Sequence, residues 1–406
     1  MLLQLPKSVR QYLIVTGNYW SFTLTDGALR MLVVLYFYQL GYGALDIALL
    51  FLFYEFFGVL TNLFGGWLGA KWGLNRTMNI GLFMQVVALS MLLLPASYLS
   101  IPWVMAAQAL SGIAKDLNKM SAKSAIKTLV PKNANSTLYK WVALLTGSKN
   151  ALKGVGFFLG GFLLSVIGFH HAILSMVIGL GIVWLASLYL LKEDLGKAKN
   201  KPKFSQMFSK SREINILSAA RLFLFGARDV WFVVAIPVYL TSQFHWDHWR
   251  VGSFLALWVI GYGLVQSLAP HLTGKKQNHT PSGGQARFWA ILLTLTPAAI
   301  AIGMQNFDQT LEILLGGLIL FGVIFAINSS LHSYLIVHYA SEDGISLDVG
   351  FYYMANAMGR LIGTVLSGWV YQDDGIIPCL WVSFGFLTLT SLISFWLPKD
   401  SHTIHR

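Results

Sequence analysis

Apolar runs long enough to cross a bilayer recur along this whole chain, and no other sequence feature restricts its fold as much. The stretch "HAILSMVIGLGIVWLASLYLL" (171–191) holds no Asp, Glu, Lys or Arg. About 20 such residues, wound as a helix, span the ~30 Å hydrocarbon core. Hydropathy and turn signals predict about twelve spans, near 12–40, 45–70, 77–99, 101–126, 138–168, 171–191, 213–242, 249–270, 287–304, 309–339, 349–371 and 377–397. A chain that is 55% hydrophobic and only 11% charged cannot hide so many apolar runs in a soluble core. Lipid demands that every backbone N–H and C=O be paired, which leaves helices or closed barrels. The runs lack the two-residue alternation of barrel strands. The predicted class is an all-α integral membrane protein.

The opening "MLLQLPKSVR" is not followed by a small-residue cleavage site, so the first apolar stretch is expected to remain as a span. The single cysteine, Cys379, excludes an internal disulfide and a thiolate cluster for soft metals or trivalent arsenic. The ten histidines form no metal-ligand set; His332 and His338, in span 10, read as ordinary packing residues. No cofactor and no metal are expected. The net charge of +12 raises nucleic acid as a partner, but membrane topology accounts for most of it, and none is expected.

Topology follows from the Lys and Arg of the loops. With the N-terminus inside, cytoplasmic segments hold Lys7, Arg10, Lys71, Arg76, Lys127, Lys132, Lys275, Lys276, Arg287, Lys399 and Arg406, whereas the external loops hold only Arg250. The lysine-rich stretch "KEDLGKAKNKPKFSQMFSKSR" is expected to be a cytoplasmic linker, 192–212, between six-helix halves at 1–191 and 213–406. Both termini are then cytoplasmic. The halves echo each other: "TDGALRMLVVLYFYQL" in span 1 is similar to "FGARDVWFVVAIPVYL" in span 7, each with an Arg/Asp combination. Repeated halves are a mark of secondary transporters.

The predicted spans enclose basic residues at Arg30, Lys115, Lys119, Lys123, Lys140, Lys149, Lys153, Arg221, Arg228 and Arg360, against the acids Asp26, Glu55, Asp116 and Asp229. A charge at mid-bilayer costs about 2.5–3.5 kcal/mol on insertion scales, so such residues face a cavity or a partner. Guanidinium forks match phosphate or arsenate oxygens, which makes Arg30, Arg228 and Arg360 candidate oxyanion ligands. The competing reading is a structural ion pair, Asp26 with Arg30 and Asp229 with Arg228; Arg360 has no acid nearby in sequence. Lys149 and Lys153 stand one turn apart and need an anion between them, or Glu55 or Asp116 opposite. Arg221 reads as an admission or anchoring charge near the cytoplasmic end, and Lys140 as a snorkelling lysine.

The run "KDLNKMSAKSAIK" sets Lys115, Lys119, Lys123 and Lys127 at every fourth position. Lys115 and Lys119 are expected in a cavity as anion ligands, with Asp116 as their structural counter-ion. Lys123 and Lys127 are expected at the cytoplasmic surface, drawing anions in. Glu55, ringed by aromatics in "FLFYEFFG", and Asp26 are candidate proton carriers, with a counter-ion role as the alternative for Glu55.

Two short motifs and four longer strings carry family resemblances. "GWLGAKWGLNR" (66–76) resembles the loop signature of the major facilitator superfamily, with Gly66, Lys71, Gly73 and Arg76 on its glycine and basic positions. Ala70 stands where that loop has an aspartate, which leaves open the charge-pair latch ascribed to it. "GSKNALKGVGFFLGG" partly resembles the superfamily's antiporter signature through Gly147, Gly156 and Gly160; Gly161 replaces its proline. Along the whole chain, "GNYWSFTLTDGALRMLVV", "ALSGIAKDLNKMSAKSAIK", "LLTGSKNALKGVGFFLGG" and "SAARLFLFGARDVWFVV" resemble the organoarsenical efflux permeases of bacterial arsenic-resistance operons.

This resemblance implies a monomeric inner-membrane exporter of 1-arseno-3-phosphoglycerate. The functional partner it implies is glyceraldehyde-3-phosphate dehydrogenase, which makes that compound from arsenate. In the superfamily's fold helices 1, 4, 7 and 10 line a cavity, 2, 5, 8 and 11 flank it, and 3, 6, 9 and 12 pack outside. The last four have no charge in their interiors here. An organophosphate or phosphate antiporter remains the alternative, since phosphate and arsenate are near-isosteric. A drug/proton antiporter would want an apolar, acidic cavity, and a membrane-embedded enzyme would want a nucleophile with a positioned base.

Overall fold

A computed structural model of the chain describes residues 6–41, 50–131, 134–191, 195–198, 210–246, 248–273 and 281–398. Among these residues all regular structure is helical. We number the helices α1 (Lys7–Gln39), α2 (Leu52–Trp72), α3 (Leu74–Met91), α4 (Ile101–Leu129), α5 and α6 (the two arms of Asn135–Leu190), α7 (Arg212–Phe244), α8 (His248–Thr273), α9 (Gly283–Asn306), α10 (Thr310–Tyr339), α11 (Ile345–Asp374) and α12 (Ile376–Ser394). α5 gives way to α6 at Gly168, whose φ of +73° is open to glycine and strained for other residues. α7 loosens at Val233 and Val234, just before Pro237, which has no N–H to continue the helical bonding. Ser367 Oγ of α11 accepts from the freed amides of Val234 and Ala235 at 3.3 and 3.1 Å.

Six stretches of the described chain are long and apolar enough to cross a membrane: α5 with α6, α7, α8, α9, α10 and α12. The remaining helices carry more polar residues. Apolar side chains such as Phe162, Val166, Ile178, Ile182 and Leu185 point outward and are more than half exposed. A water-soluble protein rarely shows such a face, whereas lipid tails cover it without cost.

The chain forms two compact units. The first comprises Met1–Ala134, Ser148–Ser209 and Ala340–Met354; the second comprises Asn135–Gly147, Lys210–Tyr339 and Ala355–Arg406. The first turns of α5 therefore group with the second unit and those of α11 with the first.

In the first unit α4 packs on α1, α2 and α3. Glycines set the spacing, because lipid supplies no hydrophobic drive and close backbone approach supplies the packing energy. A Cβ at Gly112 of α4 would lie 2.6 Å from the Tyr54 carbonyl oxygen of α2. A Cβ at Gly27 of α1 would fall 3.2 Å from Gly156 Cα, and one at Gly160 of α5 would fall 2.4 Å from the Ala28 carbonyl oxygen. The second unit repeats this crossing between α7 and α11. A Cβ at Gly359 would lie 2.0 Å from the Leu222 carbonyl oxygen, and one at Gly363 would lie 2.6 Å from that of Gly226. The similarity of "TDGALR" to "FGARDV" thus extends to the helix each one meets.

The α2–α3 turn is a single residue, Gly73, with φ +94° and its N–H donated to Gly69 O at 2.9 Å. Lys71 lies 4.4 Å from the Trp67 ring, and Arg76 is exposed. Gly66 lets the start of α11 pack on α2: Ser346 Oγ donates to its carbonyl at 2.7 Å, and Gly350 Cα would lie 3.2 Å from an added Cβ. Two linker residues bond to the same region. Leu74 N–H donates to Leu195 O at 2.8 Å, and Ala198 N–H to Ala70 O at 2.9 Å.

Candidate functional site

The first unit gathers charges from α1, α2 and α4 around one buried tyrosine. Tyr54 donates its hydroxyl to Asp26 Oδ1 at 2.6 Å, and its ring lies 3.8 Å from Lys115 Nζ and 4.9 Å from the Arg30 guanidinium carbon. Arg30 also stands 5.2 Å from the Phe51 ring and donates to Glu55 Oε1 at 3.1 Å. The pair read from the sequence, Asp26 with Arg30, is replaced by two interactions across helices. A one-turn neighbour on the same helix competes poorly with groups that the α1–α2 contact brings face to face.

Asp116 is the hub of the α4 lysines. Its Oδ1 accepts from Lys119 at 2.5 Å, and Lys115 Nζ lies 4.0 Å from its Oδ2. The carboxylate is buried, and Oδ2 would sit 3.0 Å from a Cβ at Gly58, so that glycine makes room for it on α2. Arg30, Lys115 and Lys119 thus meet Asp26, Glu55 and Asp116 directly or through Tyr54, three cations to three acids.

The outer half of the lysine ladder is covered by other parts of the protein. Lys123 is only 3% exposed and stands 5.0 Å from the Tyr353 ring, to which Lys119 also comes within 4.8 Å. Lys127 donates to the Ala340 carbonyl. Tyr353 of α11 covers Lys123, and Ala340, just past the end of α10, holds the partly buried Lys127. On α5, Lys149 donates to Asn150 Oδ1 at 3.2 Å and Lys153 Nζ lies 6.0 Å from the Phe157 ring, both partly buried.

In the second unit one carboxylate serves two guanidiniums. Asp229 Oδ1 accepts from Arg228 Nε at 2.6 Å and Nη2 at 2.5 Å, and Oδ2 accepts from Arg360 Nε at 2.9 Å. Asp229 is fully buried, while Arg228 and Arg360 keep 14% and 28% of their side chains exposed. The triad sets two guanidiniums against one carboxylate and so holds one surplus positive charge. The Phe225, Phe232 and Phe325 rings lie 4.9, 5.6 and 5.5 Å from Arg228. Arg360 gains an acid that its own sequence neighbourhood lacks, because the α7–α11 glycine crossing brings Asp229 to it.

Arg221 differs from its reading as an admission or anchoring charge. It is 3% exposed, donates to Asn356 Oδ1 at 2.9 Å and to Ser329 Oγ at 3.1 Å, and stacks 3.9 Å from the Phe225 ring. Ser329 Oγ also takes Tyr262 and Gln266, both at 3.1 Å, which ties α7, α8, α10 and α11 together. Sequence reasoning missed Tyr54 and Tyr353. Tyr54 adjoins Glu55 and was open to notice; Tyr353 comes from a helix more than 200 residues away and carried no signal.

Among the described residues no cluster of His, Cys, Asp and Glu is arranged to hold a metal. A family model described as Major Facilitator Superfamily matches residues 15–343 and again 217–406, and the chain belongs to that family. It is a transporter and not an enzyme. No curated protein sequence matches it.

Among solved structures it is similar to the human organic anion transporter MFSD10 (TETRAN), with TM-score 0.74 and 16% identity over 96% of this chain and 100% of that one. The E. coli fucose:proton symporter FucP gives 0.73 and 11% over 97% and 100%. A bacterial homologue of the iron transporter ferroportin gives 0.72 and 13% over 94% and 98%. At these identities the likeness is one of fold.

Proposed function

We propose that this transporter exports a small anionic organoarsenical, 1-arseno-3-phosphoglycerate, from the cytosol by alternating access and so confers arsenate resistance. The observation that carries the reading is the set of four long strings similar to organoarsenical permeases. The surplus of buried cations supports an anionic cargo. Arg30, Lys115, Lys119, Lys149 and Lys153 in one unit, and Arg228 and Arg360 in the other, serve as its ligands. Asp26 and Glu55 exchange protons, while Asp116 and Asp229 keep the cations in place when no anion is bound. The protein works as a monomer in the bacterial inner membrane with both termini in the cytoplasm. Glyceraldehyde-3-phosphate dehydrogenase supplies the substrate, and the product falls apart to arsenate outside.

Cells expressing this chain together with the dehydrogenase should tolerate arsenate, and cells expressing either alone should not. Arsenate resistance without the dehydrogenase would overturn the reading. An organophosphate or phosphate antiporter is the second reading, because the same guanidinium forks accept a phosphate ester. Everted vesicles that accumulate phosphoglycerate but not the arseno compound would favour it.

A further inference from the structure

We propose that Tyr54 is the positioning residue that links proton exchange at Asp26 to the anion-binding cations Arg30 and Lys115. The inference rests on the anion-transport reading above and adds to it the coupling element. Tyr54 is 2% exposed and does three things at once. Its hydroxyl donates to Asp26 at 2.6 Å, and its ring lies 3.8 Å from Lys115 and 4.9 Å from Arg30. Its backbone is fixed as well, since Gly112 of α4 lies directly against it.

The chemistry follows from the two ends of a phenol. Cations against the ring face draw on its negative quadrupole and strengthen the hydroxyl as a donor. An anion that draws Lys115 and Arg30 to its own oxygens takes them from that ring, and the hydrogen bond to Asp26 weakens with their departure. The carboxylate then loses stabilisation that a proton can replace. Tyr54 therefore lets Asp26 respond to a ligand that need not touch it. The other charged and titratable groups around the pair are Tyr19 from α1, Glu55 from α2, Asp116 and Lys119 from α4, and Tyr353 from the start of α11. They bias the local potential in wild type and variant alike.

The test uses full-length protein in nanodiscs and inorganic phosphate as the probe. Calorimetric titration in buffers of different ionisation enthalpy counts the protons exchanged per anion bound. Phosphate's own titration is common to every variant and cancels in the comparison. Tyr54→Phe keeps the ring and deletes only the hydroxyl, so phosphate should bind with affinity within about threefold of wild type. The proton count should change by about half a proton or more. Adding Asp26→Asn to Tyr54→Phe should then change the count no further, whereas Asp26→Asn alone should reproduce the shift. Phosphate binding with a wild-type proton count in Tyr54→Phe would overturn the role of Tyr54 and leave the transport reading intact. Failure of wild-type protein to bind either phosphate or arsenate would instead overturn the anion reading.

Discussion

Replacing Asp229 by Asn separates the two roles that the arginine triad combines. The carboxylate is fully buried and accepts three N–H bonds of 2.5–2.9 Å, two from Arg228 and one from Arg360. Removing one member of a buried ion pair typically costs about 3–5 kcal/mol, because the remaining charge has neither water nor counter-ion. Asn keeps the shape and one acceptor oxygen, so one guanidinium contact survives and the lower end of that range applies. About 3 kcal/mol is roughly a hundredfold shift toward unfolding. Reversible unfolding in mixed micelles titrated with SDS measures it.

A cycle with Arg360→Gln should recover at least about 1 kcal/mol of coupling, since the two sites are in contact. The same substitution removes the competitor for the guanidiniums and raises the triad's charge from one to two, so phosphate should bind more tightly than in wild type. Wild-type stability in Asp229→Asn would refute the structural role. Weaker phosphate binding in a folded Asp229→Asn would refute the arginines as anion ligands.

Three further outcomes are expected. Glu55→Gln keeps an acceptor for Arg30 but removes the charge; it should block coupled transport in everted vesicles, and an unaltered pH dependence would remove Glu55 from the proton path. Gly160→Ala should lose about 1–3 kcal/mol in thermal unfolding through the clash with Ala28, whereas Gly161→Ala, whose added Cβ would first meet Leu35 at 3.8 Å, should be neutral. Tyr353→Leu removes a ring shared by Lys119 and Lys123, worth about 0.5–2 kcal/mol, and should speed amide exchange in the first turns of α11; unchanged exchange there would show that the lysines do not hold them.

The helical class was legible because span length and apolar content are local properties. The α5–α6 break at Gly168 and the Gly73 turn were equally local, and the interior charges announced themselves as costly. Pairing was not legible. Whether Arg360 meets Asp229, or Lys123 meets Tyr353, depends on the rotation and crossing of two helices far apart in sequence. Each residue turns the helix by about 100°, so a small error in rotation exchanges one neighbour for another. The sequence reading therefore ranked acids by nearness along the chain and passed over Asp229 for Arg360. The glycines that fix those crossings were visible, but not the helices they fix them against.

The hydrogen bonds that tie Leu195 to Leu74 and Ala198 to Ala70 shorten the leash between α6 and α7. Counted from the end of α6 the connector looks generous, but it is held at Leu195 and again at Ala198, and helix α7 begins at Arg212. Twelve peptide steps lead from Ala198 to Lys210, so those two points can never part by more than about 40 Å. A side chain at Gly196, whose added Cβ would run into Leu74 at 2.4 Å, would prise the anchor loose and lengthen the leash without adding a residue.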